Sequence, residues 1–277
     1  MTFRREKLCC LTSRIHHDTL ISPEKIFPDF FLIKSPFLKN IFKGLSDLIY
    51  PNNCVLCRKF FPRGNSPTNL CPDCLDTMEH NLPPFCAKCS RHLVHIEYPL
   101  CFDCRKREHY FDGAFSACFY NDTMRRLLHL FKYANKTSLR HYLGNLMISF
   151  TQTTPVDLKS MDVLVPVPLH PVRLRERGYN QSALLAEKIA HRFDLPVSSD
   201  NLIRIRHTQN QALIGVKNRW TNIQGAFRIK YSSRFLEKSV LLVDDLLTTG
   251  ATVSEAARVL KNAGAKKVHV LTAALAQ

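Results

Sequence analysis

The chain has 277 residues, of which 45% are hydrophobic and 22% are charged, so it is long enough for one well-buried domain and a smaller module. Its 39 lysines and arginines against 23 acidic residues favour anionic partners such as phosphate esters, nucleic acid or an acidic membrane, with a merely solvated basic surface as the alternative. The sequence contains no run of 18 apolar residues and no secretory signal, which predicts no spanning membrane segment and a reducing compartment, where spaced cysteines more often hold metal than form disulfides.

The first 50 residues divide into two predicted segments. Residues 1–36 are polar, basic and weakly periodic, and we expect a poorly ordered extension. Residues 37–50 predict an amphipathic helix, because their apolar side chains fall on one helical face and Pro51 stops the pattern. We expect this helix to dock on the protein's own body or on a partner. Membrane-surface binding is the weaker alternative, since only Lys39 and Lys43 supply positive charge.

Residues 51–110 are predicted to form a double zinc-ribbon-like module. Four Cys-x-x-Cys pairs carry this prediction: Cys54/Cys57, Cys71/Cys74, Cys86/Cys89 and Cys101/Cys104. Zinc takes four ligands in a tetrahedron, so two pairs close one site, and eight cysteines imply two filled and therefore structural zinc sites. Pairing first with second and third with fourth is the simplest arrangement, and an interleaved one stays open. Redox pairs, or one site with spare cysteines, are alternatives that four repeats without a βαβ context disfavour.

From residue 111 onwards, strands and helices alternate, which predicts an α/β fold with a parallel sheet flanked by helices. Residues 111–120 predict a strand that contains Cys118. Asp122 is then expected to cap a helix. The side chains predicted to face the core from this helix are Met124, Leu127, Leu128 and Phe131. A second helical stretch is predicted through residues 139–150.

The next stretch places basic residues directly after a predicted strand. Residues 162–168 are apolar, and their prolines mark the end of the strand. A loop with three arginines is expected to follow, and then a helix capped by Asn180 or Ser182. The arginines are Arg173, Arg175 and Arg177. A polar connector at residues 230–239 and a last strand at residues 268–275 complete the pattern.

Residues 240–252 combine an apolar strand, two acidic residues and a hydroxyl-rich loop that opens a helix. Asp244 and Asp245 stand at the carboxyl end of this strand, where open α/β sheets bind ligands. A helix N-terminus offers unpaired N–H groups and a positive dipole end, which suit a phosphate. A structural Asp-capped turn is the alternative. A Walker B strand is excluded, because no Gly-Lys-Ser or Gly-Lys-Thr loop accompanies it.

This segment resembles the 5-phosphoribosyl-1-pyrophosphate (PRPP) signature of type I phosphoribosyltransferases. The resemblance implies that Asp244 and Asp245 are the catalytic-site acids that hold the ribose hydroxyls of PRPP. It also implies a set of residues around the 5-phosphate, namely Leu246, Thr248, Thr249, Gly250, Ala251 and Thr252. Arg173, Arg175 and Arg177 lie where these enzymes place their pyrophosphate loop, and Mg²⁺ is the implied cofactor of PRPP.

Over residues 54–277 the chain resembles the ComF family of ComFC-type competence proteins, which join N-terminal zinc knuckles to a phosphoribosyltransferase-like domain, here residues 111–277. The matching segments are the four Cys-x-x-Cys pairs and residues 131–133, 165–171, 173–181, 208–211, 218–219, 225–227 and 240–252. The resemblance implies a role in DNA uptake during natural transformation. The implied place of action is the cytoplasm, at the inner face of the membrane, on incoming single strands.

The resulting expectation is a PRPP-binding protein that also binds single-stranded DNA. The basic candidates for nucleic-acid contact are Arg125, Arg126, Lys132, Arg204, Arg206, Lys217 and Arg219, of which the last four are alternatively part of a mobile loop over the site. Phe131, Tyr133 and Tyr179 are candidates for base stacking, although packing is their commoner role. One alternative function is an active phosphoribosyltransferase on an unknown base or amine. Another is a scaffold that recruits a DNA motor or membrane channel.

Overall fold

The computed structural model describes residues 53–61, 69–93, 97–152, 157–208 and 216–276, with residues 216–218 described by their backbone only. All of these residues belong to one compact unit. The predicted extension 1–36 and the predicted helix 37–50 lie outside the described residues. Within the described ranges, no helix combines the length and apolar character that a membrane span requires.

The described residues form the following helices and strands. The helices are α1 Pro72–Asp76, α2 Phe102–Lys106, α3 Asp122–Tyr133, α4 Leu139–Gln152, α5 Pro171–Arg177, α6 Gln181–Phe193, α7 Val216–Ile223 and α8 Ala251–Asn262. The strands are β1 Gly113–Phe119, β2 Val163–Pro166, β3 Leu202–Arg204, β4 Phe227–Ile229, β5 Ser239–Leu247 and β6 Lys267–Leu275.

Four strands form a parallel sheet in the order β1-β6-β5-β2, which confirms the predicted fold class. The central strand β5 sends alternate side chains to opposite faces. Leu241 and Val243 pack in the core that α4 and α6 cover, while Val240 and Leu242 pack in the core that α8 covers. Burial on both faces explains why residues 240–243 are all apolar.

A second, two-stranded antiparallel sheet pairs β3 with β4. This sheet was not predicted, because each strand has only three residues and is too short to show an alternation of apolar and polar side chains.

The structure corrects the predicted cap of α3 and decides between the two predicted caps of α6. Asn121, and not Asp122, caps α3: its side chain accepts a hydrogen bond from the Met124 amide, while its own amide group donates to the Thr77 carbonyl. A carboxylate could not make the second bond, because it has no hydrogen to donate. For α6, Asn180 is the cap. Ser182 instead lies within the helix and points to Asp244.

The three arginines predicted to follow β2 in a loop lie in helix α5 instead. Pro171 occupies the first turn, where its missing N–H costs nothing, and the ring of His170 accepts a hydrogen bond from the Val172 amide. Gly178 ends the helix in the left-handed conformation, with φ of 80°. Only the boundary residues Pro171 and Gly178 indicate this helix in the sequence, because α5 has seven residues and no apolar face.

Candidate functional site

The eight predicted metal-binding cysteines form two clusters. One contains Cys54, Cys57, Cys71 and Cys74, and the other contains Cys86, Cys89, Cys101 and Cys104. Within each cluster all four sulfur atoms lie within 4.8 Å of one another. The structure therefore has the simpler of the two pairings, first with second and third with fourth.

The spacing of the sulfur atoms fits zinc. Four thiolates at about 2.3 Å from a zinc ion stand roughly 3.8 Å apart in a tetrahedron. The sulfurs of Cys54 and Cys74 are 3.7 Å apart, and those of Cys89 and Cys101 are 3.6 Å apart. The backbone amides of Cys71 and Cys101 also point at cluster sulfurs, 3.4 Å from Cys54 Sγ and 3.3 Å from Cys86 Sγ. Each cluster fills all four ligand positions of a zinc ion, so its role would be structural.

Hydrogen bonds connect the sheet domain to both zinc ribbons, the first around residues 54–74 and the second around residues 86–104. On the first ribbon, the Leu56 carbonyl accepts from Arg126, and the Thr77 hydroxyl bonds that of Thr123 on α3. Near the second ribbon, the Asn81 amide group donates to the carbonyls of Ser90 and Ser116. Arg126, a predicted nucleic-acid residue, thus lies in an internal contact.

One cavity of about 630 Å³ opens at the carboxyl ends of all four parallel strands. The residue that directly follows each strand lines it, namely Tyr120, Val167, Thr248 and Ala276. This is the place where open parallel sheets bind ligands.

The cavity brings together most of the predicted site residues. From the predicted PRPP set it contains Asp244, Asp245, Leu246, Thr248, Gly250, Thr252, Arg173 and Arg177, and from the predicted nucleic-acid set it contains Arg125, Lys132, Arg204 and Arg219. Thr249, Ala251 and Arg175 are not in its lining. Arg206 donates instead to the carbonyls of Asn222 and Gln224, and the side chain of Lys217 lies outside the described residues.

The two acidic residues are held in different ways. Asp244 accepts hydrogen bonds from the Ser182 hydroxyl at 2.8 Å and from the Asp245 backbone amide at 2.9 Å. Burial raises the pKa of Asp244 to about 7, and the neighbouring charge of Asp245 adds to this effect. Asp245 is only 3% exposed and forms an ion pair with Lys132 in the last turn of α3.

Lys132 is a positive charge built into the wall of the cavity. Burial alone would lower the pKa of this ammonium, but the charge of Asp245 and the hydrogen bond to it outweigh burial, and the pKa of Lys132 is raised. Residues 132 and 245 are far apart in the sequence, so their contact could not be read from local periodicity. The only indication in the sequence was that residues 131–133 match a segment of the ComF family.

The loop after β5 turns into α8 through a glycine in the left-handed conformation. Gly250 caps α8 with φ of 77°, a conformation that L side chains rarely adopt. A Cβ atom at this position would also lie 3.3 Å from Cε1 of His109. Thr249 supports the turn from within, because its hydroxyl accepts from the Ala251 amide.

His109 lies behind this loop and was not predicted as a site residue. Its ring stacks on Phe111 at 4.8 Å between centroids and lies 5.4 Å from the ring of Trp220. Burial, with help from the charges of Lys88 and Arg107, lowers the pKa of His109 to about 4. The Tyr110 amide donates to the Ser254 hydroxyl of α8. The segment between the second ribbon and β1 therefore packs against the loop after β5 and the first turn of α8.

The lining of the cavity is also rich in cations and imidazoles. Arg173 and Arg177 come from α5, and Arg204 comes from β3. The rings of His170 and His207 lie 5.0 Å apart and also line the cavity. Residues 165–171 resemble a segment of the ComF family, but no role was predicted for His170. No feature of the sequence indicated a role for His207.

The three predicted base-stacking aromatics lie in different surroundings. Phe131 is fully buried in the core, and the Tyr179 hydroxyl donates to the Phe131 carbonyl. Tyr133, by contrast, is 58% exposed and lines the cavity. Of the three, Tyr133 alone is placed where a ligand can reach its ring.

Known families match both parts of the chain. The model described as double zinc ribbon domain matches residues 45–105, and the model described as phosphoribosyl transferase domain matches residues 180–276. The second match contains the two acidic residues and the loop after β5, and the first contains all eight clustered cysteines.

Similar proteins extend the match over most of the chain. "Competence protein F" of Haemophilus influenzae is 29% identical over 223 residues, which are 78% of this chain and 94% of that protein. "DNA utilization protein YhgH" of Salmonella typhimurium is 29% identical over 225 residues, or 80% of this chain and 96% of that protein. "Competence protein ComFC" of Bacillus subtilis is 32% identical over 147 residues, which cover 52% and 56% of the two chains.

Proposed function

We propose that this chain, which belongs to the ComF family of competence proteins, binds PRPP together with Mg²⁺ and acts on single-stranded DNA during DNA uptake. The observation that carries the proposal is the cavity at the carboxyl ends of the strands. Asp244 and Asp245, the Gly250 loop, and the arginines Arg173 and Arg177 all line this one cavity.

PRPP has two neighbouring hydroxyls between a phosphate and a pyrophosphate, and the cavity offers a matching group for each. Ionised carboxylates accept hydrogen bonds from hydroxyls, which suits Asp244 and Asp245 to the ribose. The N-terminus of α8, opened by Gly250, suits the 5-phosphate. Arginine side chains bind phosphate oxygens in pairs of parallel hydrogen bonds, which suits Arg173 and Arg177 to the pyrophosphate.

The residues present also fit a magnesium ion that arrives with PRPP. Mg²⁺ in such sites keeps several waters and binds through one or two carboxylates and the substrate phosphates. Asp245 is already neutralised by Lys132, so Asp244 is the carboxylate that would approach the ion. When bound, Mg²⁺ would neutralise charge on the pyrophosphate group.

The part of the proposal that concerns DNA is supported by the named relatives and by charge. Two of the relatives are competence proteins and a third is a DNA utilization protein. The chain carries a formal net charge of +16, which suits a polyanion. We place its action in the cytoplasm, on strands that have crossed the membrane.

The proposal is tested by titrating Mg²⁺·PRPP into the full-length, zinc-loaded protein by calorimetry. Saturable binding is expected for the wild type and is expected to be lost in the double variant Asp244→Asn/Asp245→Asn. The matched control is Asp73→Asn/Asp200→Asn, which removes two exposed carboxylates from surface ion pairs. No heat from a folded wild-type protein, or equal loss in both double variants, would reject the site.

A second measurement distinguishes PRPP binding from transferase catalysis. Mg²⁺·PRPP is incubated with the wild type and with candidate bases or amines, and pyrophosphate release is followed. Release that depends on both the acceptor and Asp244 would establish a phosphoribosyltransferase. PRPP binding without release under any acceptor would mean that the transferase fold serves to bind PRPP.

A further inference from the structure

We propose that a nucleotide of a single DNA strand enters the same cavity as PRPP, with its base stacked on Tyr133, so that the strand and PRPP compete. This inference rests on the proposed function, which assigns both ligands to the protein without saying where the strand binds. It assigns a stacking role to Tyr133 and makes PRPP a regulator of strand binding.

The first observation is that residues predicted for two different ligands line one cavity. Arg173 and Arg177, predicted for pyrophosphate, line the cavity together with Arg125 and Arg204, predicted for nucleic acid. The ion pairs of Arg173 with Glu176 and of Arg125 with Asp122 involve exposed side chains, and such pairs are easily exchanged for phosphate. The same guanidinium groups therefore face any phosphate that enters, whether from PRPP or from a strand.

The second observation is the placement of the Tyr133 ring at the end of α3. The guanidinium of Arg177 lies 5.0 Å from the ring centroid, and the ring of His129 lies 5.0 Å away at an angle of 46°. Both neighbours also line the cavity. Single-strand binding sites combine an aromatic platform with cations that follow the backbone, because every base has a π-face. Tyr133 and Arg177 supply these two parts side by side.

Other exposed aromatic rings do not share this setting. Among the large exposed aromatics of the described ranges, Phe60, Phe102, Tyr98, Tyr110 and Tyr231 are absent from the cavity lining. Tyr98 has a similar cationic neighbour, since Arg105 lies 4.6 Å from its ring centroid. The difference between Tyr133 and Tyr98 is therefore position relative to the cavity, which makes Tyr98 a matched control.

The strand and PRPP should compete because each is expected to place phosphate groups against Arg177. A base on Tyr133 places its nucleotide against Arg177, and PRPP is expected to place its pyrophosphate against Arg173 and Arg177. The two sets of phosphates cannot occupy one guanidinium at the same time. Strand binding should consequently fall as Mg²⁺·PRPP rises, even at constant ionic strength.

The test measures binding of a fluorescently labelled oligothymidylate of about 12 nucleotides, within the usual site size, by anisotropy on the full-length, zinc-loaded protein. Tyr133→Leu is expected to weaken binding about 10-fold, because it removes one stacked base. Tyr133→Phe keeps the ring and should bind as the wild type does, and Tyr98→Leu should also bind normally. Mg²⁺·PRPP should displace the strand from the wild type, while ribose 5-phosphate, which lacks the pyrophosphate expected against Arg177, should not displace it at matched ionic strength.

The outcomes separate this inference from the proposed function. If calorimetry shows PRPP binding but PRPP leaves strand binding unchanged, or if Tyr98→Leu weakens the strand as much as Tyr133→Leu, the shared cavity is wrong and the PRPP site stands. If the wild type binds PRPP but no strand, the inference and the DNA part of the proposed function both fail.

Discussion

At the scale of single residues, the ion pair between Lys132 and Asp245 is central to the site. The Lys132 side chain is 19% exposed and that of Asp245 is 5% exposed, so removing one partner leaves a charge with little water around it. Lys132→Met is therefore expected to destabilise the protein by roughly 3 kcal/mol, measured by denaturant unfolding.

The matched control for this prediction is Arg125→Met on the same helix. The ion pair of Arg125 with Asp122 is exposed, and its loss should change stability by less than about 1 kcal/mol. In a double-mutant cycle, Asp245→Asn should make Lys132→Met clearly less damaging. Equal costs for Lys132→Met and Arg125→Met would contradict a buried pair.

The raised pKa of Asp244 predicts a pH dependence of stability. The pKa of Asp244 is 3.8 in the unfolded state and about 7 in the folded state. Between these pH values the folded state holds the proton more tightly than the unfolded state. The stability of the fold therefore decreases as the pH rises from 3.8 to about 7, and it stays lower above that. From pH 6 to pH 8 the wild type should lose about 1 kcal/mol that Asp244→Asn does not lose. Parallel pH profiles for the two proteins would show that Asp244 does not titrate in this window.

At the scale of elements, the start of α8 depends on a glycine for two separable reasons. Gly250→Ala is expected to be destabilised by backbone strain of about 1–2 kcal/mol and, in addition, by its contact with His109. Gly178→Ala isolates the strain, because Gly178 has φ of 80° and no atom within 4 Å of an added Cβ. The Tm of Gly250→Ala should therefore fall further than that of Gly178→Ala, and His109→Ala should remove the difference. No difference between the two alanine variants would remove His109 from the account of the loop.

The two cysteine clusters predict a stoichiometry of two zinc ions. Cys57→Ser should reduce the zinc content from two ions to one, because a three-cysteine cluster no longer closes the tetrahedron. Cys118→Ala is the control: Cys118 is fully buried in β1, outside both clusters. Elemental analysis of the purified variants measures the effect, and an unchanged zinc content in Cys57→Ser would contradict the ligand assignment.

The elements that were predictable from the sequence are those with a long apolar pattern or a complete boundary signal. Strand β5 was predicted from a continuous apolar run, and helix α8 from apolar residues that recur with the helical period. Helix α5 was predicted as a loop, because its seven residues present no apolar face. The cap of α3 was placed one residue late, since Asn121 and Asp122 are both good caps and only the contact with Thr77 decides between them.

At the scale of the whole molecule, the sequence predicted the acidic pair and the phosphate loop because one continuous segment carries both. It did not predict that Lys132, His170 and His207 line the same cavity as this segment, since the cavity forms only when four strand ends come together. It also separated the arginines into two ligand sets that the fold places in one cavity. Local pattern thus identifies the chemistry of the site, and the tertiary fold decides which residues share it.

The most direct test of the PRPP site is hydrogen–deuterium exchange of the full-length, zinc-loaded protein with and without saturating Mg²⁺·PRPP. We expect slower exchange in the loop and first turn of α8, residues 246–254, and in α5, which carries Arg173 and Arg177. Exchange in α1 of the first zinc ribbon should not change. Binding detected by calorimetry but without protection of residues 246–254 would contradict the assignment of the cavity as the PRPP site.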